Sequence, residues 1–486
     1  MMYIPTYFIG LILPTISGTL LLLLLERKAP VLARVERIML GCVVGLTLTM
    51  YCTFAVHILT KLALTLPLFL GVQCALALLL TIVCLQQHAL PLLSKKIPET
   101  HHRKERPWMI VLLSTLVAWI SIKAVTLGVV SLLLTPTYFD DTFSNWNLRG
   151  KVFYVDRAIT FLLPGANADT SKFGVSSYPP TIPLIKVWLA NLNGEWTEGV
   201  VNGVHFVWYI AALVLLYFAV RRQTTHAWAL FSVYLLGCMP LYLMHGVSAY
   251  ADAFLSVHIF AAVSMLFAAV HAKLPESRGS FLRIAALCMA LLPFTKNEGT
   301  VVFLPPLILI TALTLWWMSM HATLSSKELR RTVLWYIGAF ALIAAPWLIF
   351  KWMNGLTFGN GKAIGSLAIG WQRYVLYSIF VNTFFEGNWL FLFPLFIVLL
   401  WRRFRTAFTI LFIPTAYFLI IYVGQGLLYL FTSLSGEALR QTGYARGLVH
   451  VMPVTILIVT LLLYSIWPQI TVAKDGKKQT EPLPVA

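Results

Sequence analysis

Residues 447–467 read GLVHVMPVTILIVTLLLYSIW, a stretch without a single aspartate, glutamate, lysine or arginine. An apolar run of about 20 residues is long enough to cross a bilayer as a helix. Twelve further apolar stretches are candidate spans, near residues 3–25, 38–59, 62–85, 108–135, 199–220, 227–247, 253–271, 282–295, 300–319, 333–350, 386–401 and 406–431, of which the pair 282–295 and 300–319 is short and split by residues 295–299. The sequence therefore predicts an all-α polytopic membrane protein with about 13 transmembrane helices.

The composition supports a membrane protein. The 486 residues are 59% hydrophobic and 11% charged, with a mean hydropathy of +0.81, whereas soluble domains carry about 25% charged residues. The net charge is +18, but the basic residues form short clusters between apolar runs, which is typical of membrane loops rather than of nucleic-acid binding. The six cysteines lie within apolar runs without a CxxC motif, so we expect buried thiols and no disulfide framework.

The basic clusters also predict the orientation. With the N-terminus outside and the C-terminus in the cytoplasm, 23 of the 36 Lys and Arg residues fall in cytoplasmic segments, as the positive-inside rule requires. The first stretch follows no basic n-region and no cleavage site, so we expect a retained span. This topology divides the chain into three N-terminal spans with a basic loop (1–107), a module with a long outer loop (108–467, loop 136–197) and a cytoplasmic tail (468–486).

The outer loop opens with two adjacent acids, Asp140 and Asp141, directly after the fourth span. An amphipathic helix is predicted from Thr142 to about residue 163, with Asn145 and Arg149 on the same face as Asp141. Asp141 either caps this helix or acts as a base that takes a proton from a hydroxyl group, beside polar and basic groups that bind an anion.

Further polar groups are expected on the same outer side, and each allows two interpretations. Tyr178-Pro179-Pro180 forms a rigid turn or directs Tyr178 into a site. Asp252 caps a helix or joins the site. Lys296 and Glu298 form only a mutual salt bridge or also bind a ligand, and His450, one turn after Arg446, is packed or functional. A transporter tends to carry its charges near the membrane midplane, so this sidedness favours chemistry or binding at the outer boundary.

These motifs resemble the GT-C superfamily of membrane glycosyltransferases, in particular the branch of protein O-mannosyltransferases and lipid A aminoarabinose transferases. The resemblance covers residues 108–467 and differs from the family pattern because three spans precede the acidic loop. It rests on the residues just described, with Arg446-x-x-x-His450-x-x-Pro453 as weaker support: the acidic pair followed by Trp146-Asn147-Leu148-Arg149-Gly150-Lys151, Tyr178-Pro179-Pro180, Tyr250-Ala251-Asp252 and Thr295-Lys296-Asn297-Glu298-Gly299.

The resemblance implies transfer of a sugar from a polyprenyl-phosphate carrier to a lipid, glycan or protein acceptor at the outer face of the cell inner membrane. Asp141 is then the expected base, and Asp140 or Asp252 orients it or the acceptor. Lys296 and Arg446, with Arg149 as a third candidate, are expected to neutralise the carrier phosphate. Tyr178, Glu298 and His450 are further candidates for substrate binding.

The scheme requires no cofactor and no metal, and the sequence contains no evident metal-ligand cluster. A transporter or flippase for a lipid-linked glycan is the main alternative function. A non-catalytic membrane assembly subunit is a third possibility.

Overall fold

The computed structural model describes residues 4–93, 106–137, 140–161, 176–358, 368–440 and 443–467, together with the short segments 471–472 and 478–479. Helices joined by turns and loops make up the described chain, which also contains one antiparallel pair of two-residue strands, Thr471–Val472 and Lys478–Gln479, and an isolated β-bridge between Ile369 and Thr432. The all-α membrane class predicted from the sequence is confirmed. Most of the predicted tail, and the expected end of the loop helix near residue 163, lie outside the described residues.

The N-terminal half contains the first eleven α-helices: α1 (Ile4–Glu26), α2 (Arg34–Thr60), α3 (Leu66–Gln86), α4 (Pro107–Gly128), α5 (Leu148–Asp156), α6 (Thr181–Asn193), α7 (Glu198–Asn202), α8 (His205–Arg221), α9 (His226–Gly237), α10 (Pro240–Gly246) and α11 (Asp252–His271). The second half contains eleven more: α12 (Pro275–Leu291), α13 (Leu304–Met320), α14 (Ser326–Ala339), α15 (Ala345–Met353), α16 (Val375–Phe384), α17 (Glu386–Trp389), α18 (Leu392–Arg402), α19 (Phe404–Phe408), α20 (Phe412–Phe431), α21 (Ser435–Leu439) and α22 (Gly443–Ile466).

Among the described residues, eleven helices are long and apolar enough to cross a membrane, or twelve if the bent pair α9 and α10 is one span. Twelve of the thirteen predicted stretches correspond to these spans. The exception is 386–401, which the structure divides into α17 and the 11-residue α18. A helix of that length rises only about 17 Å, well short of the hydrocarbon core.

Helices α1 and α2 pack along a seam of small residues. Gly41 and Gly45 of α2, four residues apart, face Gly18 of α1. A Cβ atom at Gly45 would overlap the backbone carbonyl of Pro14, and one at Gly18 would overlap the carbonyl of Gly41. Small residues at this spacing allow two membrane helices to approach backbone to backbone, so these glycines set the distance between the first two helices.

The first two helices also contact the segment 176–202 and helix α11. Tyr7 donates a hydrogen bond to the carbonyl of Val200 at 2.7 Å, and Trp188 donates to the carbonyl of Gly10 at 2.9 Å. Thr47 lies 3.0 Å from Nε2 of His258 in α11. The domain boundary near residue 107 remains a prediction, and contacts across it are extensive.

Short π-helical turns interrupt or precede several helices, at Val129–Leu134, Thr142–Asn147, Gly299–Phe303 and Phe340–Ala344. The turn at 142–147 leads into α5. Arg157, the residue that follows α5, has a left-handed backbone conformation (φ 52°). The predicted amphipathic helix is therefore shorter than expected. A π turn contains one residue more than an α-helical turn, so it changes which side chains share a face of the helix.

We expect Gly45→Leu to destabilise the protein, because a side chain on this seam forces α1 and α2 apart. Overpacking of this kind typically costs about 1–3 kcal/mol. The measurement is thermal unfolding of the detergent-solubilised protein. Gly71→Leu in α3 is the matched control, since a Cβ atom there meets nothing within 4 Å. Equal stability of the two variants would contradict the proposed packing.

Candidate active site

The centre of the polar cluster is the carboxylate of Asp252, the first residue of α11, whose side chain is 0% exposed. Its Oδ1 lies 2.9 Å from Nζ of Lys296 and 2.8 Å from Nε2 of His450. Its Oδ2 accepts a hydrogen bond from Nη2 of Arg446 at 2.9 Å. A buried carboxylate is tolerated when it is paired in this way, and the start of a helix further stabilises its charge.

The structure adds a fifth member, His245, which the sequence analysis missed. Its Nδ1 lies 3.0 Å from Oδ2 of Asp252, close enough for an ion pair but outside the angles of a hydrogen bond. His245 is buried near the end of α10, the short helix that follows a sharp bend of 78° after α9. The available sequence signal was its position seven residues before Asp252, at the outer end of an apolar stretch.

Asp141 lies at the open side of this cluster. Its Oδ2 is 2.6 Å from Nη1 of Arg446, and the side chains of Asp141 and Arg446 are 39% and 26% exposed. Asp141 precedes the π turn 142–147 without making a side-chain capping hydrogen bond to the described chain. Arg446 thus joins the exposed Asp141 to the buried Asp252, and its guanidinium group also lies over the ring of Tyr250 at 5.1 Å.

Lys296 and Glu298 lie in the break between α12 and α13, and their ion pair is not exclusive, because Lys296 also contacts Asp252. Nζ of Lys296 is 3.4 Å from Oε1 of Glu298, in addition to its shorter contact with Asp252. Burial tends to lower the pKa of Lys296, but the carboxylates of Asp252 and Glu298 outweigh it and raise the pKa above its ordinary value. Burial tends to raise the pKa of Glu298, and Lys296 reverses this so that the pKa is lowered. Both groups are therefore charged at neutral pH.

Tyr178 joins the same group of side chains. Its hydroxyl donates to Oε1 of Glu298 at 2.9 Å, and its ring stacks on Trp146 with centroids 5.2 Å apart. Burial, and then the charge of Glu298, raise the pKa of Tyr178 well above its ordinary value. The phenol therefore stays neutral and acts as a donor. Tyr178 thus lies buried beside Glu298 and Lys296, and its role in substrate binding stays a prediction.

Arg149 contacts the loop around Tyr178, whereas Asp141 pairs with Arg446. The π turn 142–147 lies between them and changes the register. Arg149 is fully buried and donates from Nη2 to the carbonyl of Tyr178 at 2.9 Å. Burial lowers the pKa of Arg149 to about 9. The hydrogen bond from Arg149 therefore fixes the backbone of Tyr178 and not the carboxylate of Asp141.

Two buried lysines that the sequence analysis did not select hold the surrounding loops. Nζ of Lys351 donates to the Ser177 carbonyl at 2.6 Å and to Oδ1 of Asn297 at 2.9 Å. Nζ of Lys186 donates to Oδ1 of Asn147 and Oδ1 of Asn202, each at 2.7 Å. All of these acceptors are neutral oxygens. A lysine within an apolar stretch gives no sequence signal of which loop it holds.

Asp140, the second predicted catalytic acid, has an exposed side chain. Over the described ranges, Asp140 makes no ion pair, and only its backbone carbonyl is engaged, by the hydroxyl of Ser144 at 2.6 Å. Within the same ranges, no group of three or more His, Cys, Asp or Glu side chains is arranged to hold a metal ion. The polar groups of the site are the carboxylates, cationic side chains and histidines described above.

The arrangement combines three carboxylates, on Asp141, Asp252 and Glu298, with the cations of Lys296 and Arg446. Asp141 is the most accessible of the three acids, since Asp252 is 0% and Glu298 24% exposed. An accessible carboxylate beside an arginine provides a proton acceptor next to an oxyanion-binding group. Asp252, Lys296, Glu298, Arg446, His450 and Tyr178 are brought together as predicted.

Two solved structures share this fold. ArnT from Cupriavidus metallidurans in the apo state is 14% identical to this chain, with a TM-score of 0.52 over 74% of this chain and 61% of ArnT. ArnT from Cupriavidus metallidurans bound to undecaprenyl phosphate is also 14% identical, with a TM-score of 0.53 over 73% and 61% of the two chains. No family model matches the chain, and no curated protein matches it in sequence.

The likeness shows that this chain shares the fold of ArnT over about three quarters of its length. At 14% identity it concerns the fold alone. The matched region spans 61% of the ArnT chain, so the remaining part of ArnT has no aligned counterpart here.

We expect Asp252→Ala to destabilise the protein strongly, because it leaves Lys296 and Arg446 without their buried partner. Removal of one member of a buried ion pair costs on the order of 3–5 kcal/mol. The measurement is thermal or denaturant unfolding in detergent. Asp156→Ala, which removes an exposed acid from the end of α5, is the control. If both variants unfold like the wild-type protein, Asp252 does not hold the outer end together.

Proposed function

We propose that this protein is a membrane glycosyltransferase that moves a sugar from a polyprenyl-phosphate-linked donor to an acceptor hydroxyl group. The observation that carries this proposal is the accessible carboxylate of Asp141, 2.6 Å from an arginine that is anchored on a buried acid. The fold shared with ArnT supports it, and one of the two ArnT structures contains undecaprenyl phosphate. The proposal covers donors that carry either a hexose or a pentose.

In the proposed reaction, Asp141 accepts the proton of the acceptor hydroxyl group. The acceptor oxygen forms a bond to the anomeric carbon while the bond from that carbon to the carrier phosphate breaks. The electron pair leaves with the phosphate oxygen, which gives polyprenyl phosphate as the second product. Attack from the side opposite the phosphate inverts the anomeric centre.

The carrier phosphate needs a cation, and Arg446 is the best placed. Lys296 is 4% exposed and held by Asp252 and Glu298, whereas the guanidinium group of Arg446 reaches the open side of the cluster. Arg446 is also the ion-pair partner of Asp141 among the described residues. When a phosphate takes over part of the Arg446 guanidinium group, the Asp141 carboxylate is released to accept a hydrogen bond from the acceptor hydroxyl group.

Lys296 then acts mainly through Asp252, whose position fixes Arg446. His450 and His245 also help to hold Asp252 in position, because His450 contacts its Oδ1 and His245 contacts its Oδ2. Tyr178, Glu298 and Arg149 hold the neighbouring loop, and Asp140 is a candidate for orienting the acceptor. The cluster lies at the side that the distribution of basic residues assigns to the outer face, so we place the reaction at the outer surface of the cell inner membrane.

We expect Asp141→Asn to reduce sugar transfer by at least about 100-fold, the usual contribution of general-base catalysis. Asparagine keeps the size of the side chain but cannot accept the proton. The measurement is incubation of purified protein with a panel of polyprenyl-phosphate sugars and acceptors, with mass spectrometry of the products.

Asp140→Asn is the comparison, because the neighbouring acid makes no ion pair within the described residues, and its effect should be smaller. Wild-type rates in a well-folded Asp141→Asn protein would exclude the proposed base. A wild-type protein that moves the lipid carrier across vesicle membranes without making a glycoside would instead support a flippase.

We expect Arg446→Lys to weaken use of the donor although the charge is kept. A guanidinium group can contact Asp141, Asp252 and a phosphate at once, whereas an ammonium group acts as a single point of charge. The measurement is the KM for the donor and the binding of polyprenyl phosphate. Arg440→Lys, at an exposed position just before α22, is the matched control. Equal donor KM values in both variants would remove Arg446 from the phosphate site.

A further inference from the structure

Four cationic side chains form a patch at the far end of the helix bundle from Asp252. They are Arg27 and Lys28 in the turn after α1, Arg283 in α12 and Arg331 in α14. Helix α11 has 20 residues, so it rises about 30 Å between Asp252 and the turn that leads to α12. This basic patch is therefore separate from the candidate active site.

Hydrogen bonds bring α12 against the turn that carries two of these cations. Nε of Arg283 donates to the carbonyl of Leu25 in the last turn of α1, at 2.7 Å. Oγ of Ser280, one turn earlier in α12, donates to the carbonyl of Ala29 at 2.9 Å. The guanidinium group of Arg283 is thus fixed at the level where α1 ends.

The charges of the patch repel one another. The positive charge of Arg331, followed by burial and the charges of Arg283 and Arg27, lowers the pKa of Lys28 below its ordinary value. The carboxylate of Glu276 opposes this shift but has the smallest effect. Within the described ranges, the side chains of Lys28 and Arg331 make no hydrogen bond and no ion pair. The patch therefore has positive charge to offer to an anion.

The neighbouring acids do not neutralise the patch. Glu26 is buried and pairs with Arg37 at 2.6 Å. Glu328 accepts hydrogen bonds from the backbone N–H and the hydroxyl group of Ser325, at 3.0 and 2.8 Å, and so caps α14. Glu276 alone is uncommitted. The N-terminal ends of α12 and α14 add partial positive charge, so an anion is favoured here.

The basic pair after α8 shows a different pattern. Arg222 forms an ion pair with the buried carboxylate of Glu36. Arg221 donates to the carbonyl of Thr224 at 3.1 Å. These arginines are engaged by groups of the protein itself, whereas Lys28 and Arg331 are exposed and unpaired in the described structure. The patch is therefore more than a loop with the usual excess of basic residues.

Tryptophans indicate that the patch lies at the membrane interface. Trp316 and Trp317 are exposed near the end of α13, and Trp335 is exposed one turn after Arg331 in α14. Tryptophan is enriched where the hydrocarbon core meets the headgroups of a bilayer. The cations therefore lie at the depth of phospholipid phosphates.

An apolar surface continues from the cations into the membrane. Leu334, on the same face of α14 as Arg331, is 57% exposed, and Ile337 is 59% exposed. Thr332 is the one residue of α14 that is buried. A molecule bound at the patch can thus place hydrocarbon chains along α14, which a soluble anion cannot do.

We propose that the basic patch binds the headgroup of an anionic phospholipid, whose acyl chains lie along the exposed face of α14. The phosphate is placed between Lys28 and Arg331, which are free to contact it. Arg283 and Arg27 support its charge from the protein side. This site goes beyond the proposed sugar transfer, because lipid binding here requires neither Asp141 nor a sugar donor.

The proposal is tested by native mass spectrometry of delipidated protein in detergent, titrated with dioleoyl phosphatidylglycerol or dioleoyl phosphatidylcholine. The wild-type protein should bind phosphatidylglycerol at least about tenfold more tightly, since the two acyl chains are identical and only the first lipid has a net negative charge. Higher ionic strength should reduce this preference by screening the exposed cations.

Lys28→Gln combined with Arg331→Gln should weaken phosphatidylglycerol binding by at least about tenfold. Each cation near an anionic lipid surface contributes about fivefold in affinity. Both side chains are exposed, so the variant should unfold at the same temperature as the wild-type protein. Lys28→Arg combined with Arg331→Lys keeps both charges and should restore binding.

Arg402→Gln combined with Arg405→Gln is the matched control. It removes two exposed cations from the segment where α18 meets α19, without changing the basic patch. Its affinity for phosphatidylglycerol should equal that of the wild-type protein.

Three outcomes would overturn the proposal. Equal binding of the two lipids by the wild-type protein would mean that the headgroup charge is not recognised. Equal losses in the patch variant and in the control would mean that only the overall charge matters. Displacement of phosphatidylglycerol by inorganic phosphate at the same concentration would mean that the patch binds a free anion and not a lipid.

Discussion

The polar end of the helix bundle depends on the burial of one carboxylate. Asp252 is removed from water at the start of α11, and such a charge is tolerated only when hydrogen bonds and opposite charges replace the lost solvent. The partners come from α10, from the break before α13 and from α22, through His245, Lys296, Arg446 and His450. Satisfying this single charge therefore draws together segments that are far apart along the chain.

The same network gives the exposed acid its environment. Arg446 is shared between Asp252, which is inaccessible, and Asp141, which faces the open side. The buried contact holds the arginine in place, so its remaining nitrogen meets Asp141 in a defined position. A rigid support for an accessible acid and cation is the general requirement for a precise reactive site. The loop around Tyr178 adds to this support through Glu298 and Arg149.

Much of this arrangement could be predicted from the sequence, because hydropathy determines the spans and charge determines which ends lie together. The meeting of Asp252 with Lys296 and Arg446 follows from that sidedness. The partners of Lys186 and Lys351 could not be predicted, since a lysine in an apolar stretch does not reveal which oxygens surround it. The stretch 386–401 is apolar enough for a span but is broken after Trp389, a change that depends on tertiary packing.

The π turn between Asp141 and α5 also has an evolutionary consequence. A π-helical turn contains one residue more than the α-helical turn it replaces. Each residue of an α-helix rotates the chain by about 100° about the helix axis. Loss of a single codon from the segment encoding 142–147 would therefore restore regular helix and swing either Asp141 or the Trp146–Arg149 face away from its partners. The segment 142–147 can therefore accept amino-acid substitutions, but an insertion or a deletion would uncouple Asp141 from the loop that supports it.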